Sequence, residues 1–488
     1  MEKMSFLNKT AILATIATLS LTGCAVSQAQ DTTQSQQQTA TTTPSNEMTP
    51  SENGEMPSSP NDSQNRSTFD GSMPQQGMRE GFKDNQFQGG MQSYSSTGTS
   101  TFVSFVANDL FTERDLAQEA DLSSATNQTV ESNNDITITS EGVYVLSGTA
   151  SDVTIIVEAS DSDKVQLVLD NLNVTNTTQP VIYVKSADKV FITTAQGSSN
   201  TLSVTSAFTA DGDTNTDAVI FAKDDITLNG QGTLIIKSSD NGITSKDDLK
   251  ATGGTYIITS EGHALEANDS IRIYDGSFRL ESGKDGMHAE NDDDDTLGYI
   301  YIANGSFETT SGSDAIHANS ALQIDNGTMT LNAREALEGT YIQVNGGDIT
   351  ISASDDGINS ARQSSLYTPT IEITGGNLDI TMGSGDTDAL DANGNLIITG
   401  GNVNISAQFA FDYDGTATFT GGTVMVNGSQ VTSITNSMMG GMGGMGGNMQ
   451  GGRPGEMQGN MQGGMPEDTQ GQPNGQMPYG PGGKHGRR

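Results

Sequence analysis

Basic residues are scarce in this chain: Lys and Arg number 22 against 60 Asp and Glu, a formal net charge of −38 over 488 residues. That excess of carboxylate repels polyanions. It excludes nucleic acid as a partner and a bare anionic lipid surface as a target, and it suits a chain that collects cations. Cysteine occurs once, at Cys24, so no disulfide forms within the chain and stability must come from a packed core and bound ions. Tryptophan is missing altogether. From Ala25 to about Ser100 aliphatic side chains are almost absent among Ser, Thr, Gln, Asn, Pro and Met. Such a stretch buries too little apolar surface to offset chain entropy, so residues 24–100 read as a disordered tether. Residues 437–488, with Met-Gly-Gly and Met-Gln-Gly repeats, read the same way. These two flanks hold 14 of the 20 Met residues. Soft thioethers suit Cu(I), but a flexible, protease-tolerant linker is the simpler reading.

At the N-terminus Lys3 and Lys9 precede a short apolar run, Ala11 to Leu21, that ends in Leu21-Thr22-Gly23-Cys24. A positive flank, a short apolar core and small residues before the cut describe a secretory signal over 1–23, too short for a mature membrane span. The ending resembles a bacterial lipobox. Cys24 is then expected to carry the lipid that anchors a monomer to the extracellular face of the cell membrane.

A glycine-punctuated repeat fills the middle of the chain. From Gly254, a Gly preceded by Gly, Asp or Asn and followed by an apolar-x-apolar pair recurs at Gly276, Gly305, Gly327, Gly347, Gly376, Gly401 and Gly422. The spacing stays near 22 residues, and apolar residues within each repeat alternate with period two. The expected fold is therefore all-β, a parallel β-helix of three sheets, one repeat per coil. Three short strands are assigned per coil. Small-then-apolar pairs such as Ala264-Leu265 and Gly286-Met287 form the first, pairs such as Ile271 and Ile273 the second, and pairs such as Phe278 and Leu280 the third. Residues 216–436 hold the regular coils, and 101–215 read as opening coils or a β cap.

Function in such a repeat is read down columns. Immediately before the small residue of the first strand stand Asn241, His263, Asp285, Asp314, Glu335, Asp356 and Asp388; three residues later stand Thr244, Glu266, His288, His317, Glu338, Asn359 and Asp391. Carboxylates on neighbouring coils, about 5 Å apart, repel by roughly 1 kcal/mol in water and about 3 kcal/mol in a protein-like dielectric. Calcium, which takes six to eight oxygens, is the expected compensation, with Asp285, Asp314, Glu335, Glu338, Asp356, Asp388 and Asp391 as candidate ligands. The acidic insertion Glu290-Asn-Asp-Asp-Asp-Asp295 projects beside the same edge. Zinc fits less well: His288 and His317 stack on adjacent coils, but there is no Cys ligand and no helical His pair. A solvated acidic ladder with loosely held ions is the plain alternative.

A second face offers long polar side chains at coil spacing: Lys250, Arg272, Tyr301, Gln323 and Gln343 on the second strand, and Arg279 on the third. These could contact the hydroxyls and carboxylates of an extended polymer, although a solvated strand carries the same residue types.

The order Ala222-Lys-Asp-Asp-Ile226, Leu228-x-Gly-x-Gly-Thr-Leu234, Asn241-Gly-Ile-x-Ser-Lys-Asp-Asp-Leu249 and Gly253-Gly-x-x-x-Ile257, with Gln166-Leu-Val-Leu-Asp170 and Asn200-x-Leu202 before it, resembles a bacterial family of carbohydrate-binding domain-containing proteins. The resemblance covers roughly residues 130–430. It implies a right-handed parallel β-helix similar in fold to pectate lyases, binding of cellulose or acidic pectic sugars such as polygalacturonate, and calcium on the helix surface. It supplies no sugar-contacting residues to carry over.

The expected function is a non-catalytic, lipid-anchored binder of polysaccharide. A calcium-dependent polysaccharide lyase, with Lys284 or Arg334 as base beside the ion column, is the enzymatic alternative. A structural or adhesive surface protein is the third.

Overall fold

The computed structural model describes residues 101–385 and 387–437. The leader, Cys24, the tether and the chain beyond 437 lie outside the described residues. The described chain is all-β; its helices amount to one turn at Ala107–Leu110 and a 3-10 turn at Leu122–Ser124. Its strands pair almost entirely in parallel, each with the strand one repeat later, in three ladders.

The ladders show why the alternating pattern folds this way. In the first, Ile155, Ile182, Ile220, Ile243, Leu265, Met287, Ile316, Leu337, Ile358 and Leu390 stand opposite one another in sequence. In the second the column runs Val165, Val190, Ile226, Leu249, Ile271, Ile300, Leu322, Ile342, Ile371 and Leu396. Every one of these side chains is fully buried. Inward columns from the three ladders meet in one apolar core, and a one-residue slip in any strand would turn its column to solvent. The third ladder adds stacked rings: Tyr256 on Phe278 at 5.1 Å and Phe278 on Phe307 at 5.0 Å between centroids. Residues 126–215 pair forward into the same ladders, so their strands are the first coils of the stack.

The repeated glycines stand at the corner before the third strand, all eight with φ between 81° and 144°. At Gly347 (φ 96°) a Cβ would sit 2.8 Å from the Gly327 carbonyl oxygen on the preceding coil. The corner thus needs both a left-handed backbone and an absent side chain. At the C-terminal end the chain turns back: Ser429–Val431 pairs antiparallel with Thr423–Val426, and the amides of Ala410 and Phe411 donate to Ser437 Oγ.

The outer face of the second ladder is covered. Residues 102–118, which the sequence reading placed in the opening coils or cap, run across it as a strap. Phe102 stacks on Tyr341 at 4.4 Å and Phe105 on Tyr299 at 4.6 Å. The Phe105 amide donates to Gln323 Oε1 at 2.6 Å, and Gln323 Nε2 donates back to the Phe105 carbonyl at 3.0 Å. Further along, Asp115 is wholly buried. It accepts from Thr227 Oγ1 at 3.1 Å and lies 3.5 Å from Lys189 Nζ and 3.7 Å from Lys250 Nζ. Gln118 then takes the Gly230 amide at 2.9 Å.

Candidate functional site

The expected polymer-contact column exists, since Lys250, Arg272, Tyr301, Gln323 and Gln343 pair in register. The strap occupies it. Lys250 is 6% exposed, Tyr301 1% and Gln323 1%, and each is engaged by residues of the same chain. Arg272 pairs with Asp248 at 2.8 Å with its guanidinium 5.3 Å from the Tyr299 ring centroid. Among these candidates the structure leaves Arg279 open, on the third ladder, in exposed pairs with Glu281 and Glu308. A neighbouring chain could not reach Lys250, Tyr301 or Gln323 while the strap is in place, which corrects the sequence reading of that face. The strap carries its own signal, the apolar Phe102-Val-Ser-Phe-Val106 run at the end of a stretch poor in aliphatic residues.

The two polar columns come together at the outer edge of the first ladder. Its strands place the second column in register through Thr244, Glu266, His288, His317, Glu338, Asn359 and Asp391. Because the two columns lie three residues apart on one twisted edge, their side chains interleave. His288 Nδ1 meets Asp285 Oδ2 at 2.7 Å, and His317 Nδ1 lies 3.2 Å from Asp314 Oδ2 and 2.8 Å from Glu338 Oε2. His263 Nδ1 is 3.2 Å from Asp285 Oδ2 and also receives the Asp285 amide at 3.3 Å. The three imidazoles stack, His263 on His288 at 4.3 Å and His288 on His317 at 4.8 Å. Arg334 reaches both Glu335 and Asp355. Part of the compensation that the acidic column requires therefore comes from histidine and arginine of the chain itself.

The acids divide accordingly. Burial pushes the Asp285 carboxyl up, but the imidazoles of His263 and His288 beside it outweigh that and hold it far below the usual range. Asp314 is pushed up to about 6, first by burial. Asp356 is pushed up to about 7 by burial and by Asp391 and Glu335, and Asp391 to about 6 by burial and by Asp412 and Asp388. Glu335 is raised by burial. For Glu338, burial acts upward but hydrogen bonds with His317 and Asp314 bring it down. Burial acts downward on His317, yet Asp314 and Glu338 carry it up to about 10.

Three groups of potential ligand atoms lie within 4.8 Å of one another among the described residues: His263, Asp285 and His288; Asp285, Asp314 and His317; and Asp314, Glu335 and Glu338. Asp356, Asp388 and Asp391 continue the column but join none of the three. The last group is all oxygen and fits a hard cation such as calcium; the first two contain imidazole and do not. A cavity of about 530 Å³ opens over Asp285, His288, Asp314 and His317. Its walls come from the 29-residue coil Gly276 to Gly305 and the coil that follows it, Gly305 to Gly327, with Gln363 added from the second 29-residue coil, Gly347 to Gly376. The loop after Ala289 and the loop after Ser360 touch where Ser364 Oγ donates to the Asp295 carbonyl at 3.2 Å.

The two candidate bases of the lyase reading stand in different settings. Arg334 is ion-paired twice and its charged form is strengthened by Glu335, Asp314 and Asp355 against the effect of burial, the opposite of what a base needs. Lys284 is exposed to solvent.

A protein-family model described as carbohydrate-binding domain-containing protein matches residues 132–384 and 334–438. A protein of the same description from Acetivibrio thermocellus is 38% identical over 130 residues, which are 26% of this chain and 46% of that protein. The match thus spans about half the length of that relative. A solved structure, the polysaccharide lyase-like protein from C. thermocellum in a gadolinium derivative, is 30% identical and covers 46% of this chain and 92% of its own, with a TM-score of 0.38.

Proposed function

The chain belongs to the family of carbohydrate-binding domain-containing proteins, and on that premise we propose that it is a non-catalytic, surface-anchored protein that holds acidic polysaccharide through calcium. The coils wind right-handed in this reading, as parallel crossovers do. The observation that carries it is the all-oxygen group Asp314, Glu335 and Glu338, whose carboxylates stand within 4.8 Å of one another, with Asp314 in the wall of the open cavity. Asp314 and Glu335 resist ionisation there. Calcium relieves that repulsion and keeps coordination positions for oxygens from outside the chain. A uronate polymer supplies such oxygens at regular intervals. Lipid at Cys24 and the tether 24–100 would keep the site at the extracellular face of the membrane.

A neutral polymer such as cellulose would use another surface. On the third ladder Arg279, Glu308, Thr330, Thr350, Asp379 and Asn404 form an exposed row in register, a polar face that the strap leaves open. Retention of the protein on immobilised polygalacturonate and on insoluble cellulose, each with calcium and with chelator, separates the two. Calcium-dependent retention on polygalacturonate supports the acidic site, and chelator-insensitive retention on cellulose supports the third-ladder face. No retention on either polymer overturns carbohydrate binding and favours an adhesive surface role.

A further inference from the structure

We propose that the histidine end of the column is a second kind of metal site, one for a borderline divalent cation of the zinc class, held by Asp285, Asp314 and His317 with His288 on the shared Asp285. This rests on the cation reading of the same edge but not on its glycan. Two observations carry it independently. First, the donor chemistry changes along the column. Asp314, Glu335 and Glu338 offer oxygen alone, whereas Asp285, Asp314 and His317 offer nitrogen and oxygen within 4.8 Å. Imidazole suits zinc, copper, nickel and iron; calcium takes oxygen and needs six to eight ligands. Second, the cavity of about 530 Å³ opens over Asp285, His288, Asp314 and His317. An ion held there would have solvent or an external ligand at its remaining position, as zinc sites that keep an open position do.

The spacing fits an ion of that size. Ligands on arms of about 2.0–2.1 Å stand roughly 3.4 Å apart around a tetrahedral ion. The pairs within each coil stand at 2.7 Å (His288 Nδ1 to Asp285 Oδ2) and 3.2 Å (His317 Nδ1 to Asp314 Oδ2), so entry parts each pair by less than about 1 Å, and the ligand atoms of Asp285, Asp314 and His317 lie within 4.8 Å of one another. Second contacts already orient the rings. His288 Nε2, the nitrogen away from Asp285, lies 3.2 Å from Glu290 Oε2 on the acidic insertion; His317 Nδ1 lies 2.8 Å from Glu338 Oε2, a contact that an ion on that nitrogen would replace. A carboxylate beside a ligating ring fixes its orientation and raises its basicity. His263 belongs to the stack, but its Nδ1 receives the Asp285 amide, which makes it the less available of the three rings.

Cobalt(II) and zinc binding to the full-length protein, without any glycan, test the site. Cobalt is expected to give the visible absorption of a low-symmetry nitrogen-oxygen site, zinc to quench it on competition, and calcium in equal amount to leave it unchanged. His317→Gln and His288→Gln are each expected to weaken zinc binding at least tenfold while the circular dichroism spectrum stays that of wild type. Glu335→Gln, in the oxygen-only group, is expected to leave zinc binding within about twofold and to weaken calcium instead; its circular dichroism controls for folding. The proposal is overturned if calcium displaces cobalt as readily as zinc does, or if zinc binding survives in the His288→Gln, His317→Gln double variant. Survival there would place the zinc outside the column. Loss of polysaccharide retention with intact zinc binding would count against the glycan reading alone.

Discussion

Asp115, with no exposed surface, sits between Lys189 Nζ at 3.5 Å and Lys250 Nζ at 3.7 Å. The contact joins the strap to coils that lie far along the sequence, and it fills a basic pocket formed by two lysines of the second ladder. Removing one partner of a buried pair leaves the other charge uncompensated, at about 3 kcal/mol or more. Asp115→Ala is therefore expected to free residues 102–118, read as rapid proteolytic cleavage within them before the coils unfold. Cleavage at the wild-type rate would show that the aromatic contacts suffice.

The same contact has a pH signature. Burial pushes the Asp115 carboxyl up, but the Thr112 amide and the two lysines bring it below its ordinary value. A depressed carboxyl contributes stability that is present above its unfolded pKa of about 3.8–3.9 and is lost as pH falls through the folded value. Hydrogen exchange of the strap amides should stay slow down to about pH 4 and accelerate below it.

The acidic column titrates in the opposite sense. Asp314, Asp356 and Asp391 are raised to about 6, 7 and 6, so the folded chain binds more protons than the unfolded one between about pH 4 and 7. His317, at about 10, contributes stability that is complete below about 6.5 and lost as pH rises through the folded value. In chelator, the melting temperature is expected to fall from pH 4 to 7 and again toward pH 10. Saturating calcium is expected to flatten the first decline, because the ion holds the carboxylates charged. A flat profile in chelator would remove the strain attributed to the column.

Calcium bound only by the folded state stabilises by mass action, about 2.7 kcal/mol at a hundredfold excess over Kd. Thermal unfolding with and without calcium should show that increment in wild type. Glu335→Gln, in the oxygen group, should lose most of it.

Gly347→Ala places a Cβ 2.8 Å from the Gly327 carbonyl at φ 96°. Strain of that kind costs on the order of 1–3 kcal/mol. Chemical denaturation should show a lower midpoint with an unchanged slope.

Much of this molecule was legible because its periodicities are simple. Ile271 and Ile273, or Leu322 and Ile324, announce an inward column by alternation alone, and the glycine before Phe278 or Leu378 marks the corner that stacks it. Reading Asp285 and Asp314 as one column needed only the repeat length. The interleaving of that column with His288 and His317 was not legible, because a three-residue offset becomes contact only through the twist and bend of the coil edge. The strap was hidden for a different reason. Phe102, Phe105 and Asp115 follow no repeat, and their partners Tyr341, Tyr299 and Lys250 are separated from them by more than a hundred residues of sequence. Long-range pairing of an irregular segment leaves no period to read, so Lys250 and Tyr301 looked like surface from their own strands.

The turn at the C-terminal end of the stack bears on how many copies can coexist. A parallel ladder ends in unpaired amides and carbonyls, which invite the first coil of another chain to continue it. Here Ser429–Val431 folds back along the last strand of the third ladder, and Ser437 takes the terminal amides of the first. Blunted in this way, the first and third ladders offer no open strand edge at this tip for another copy to extend.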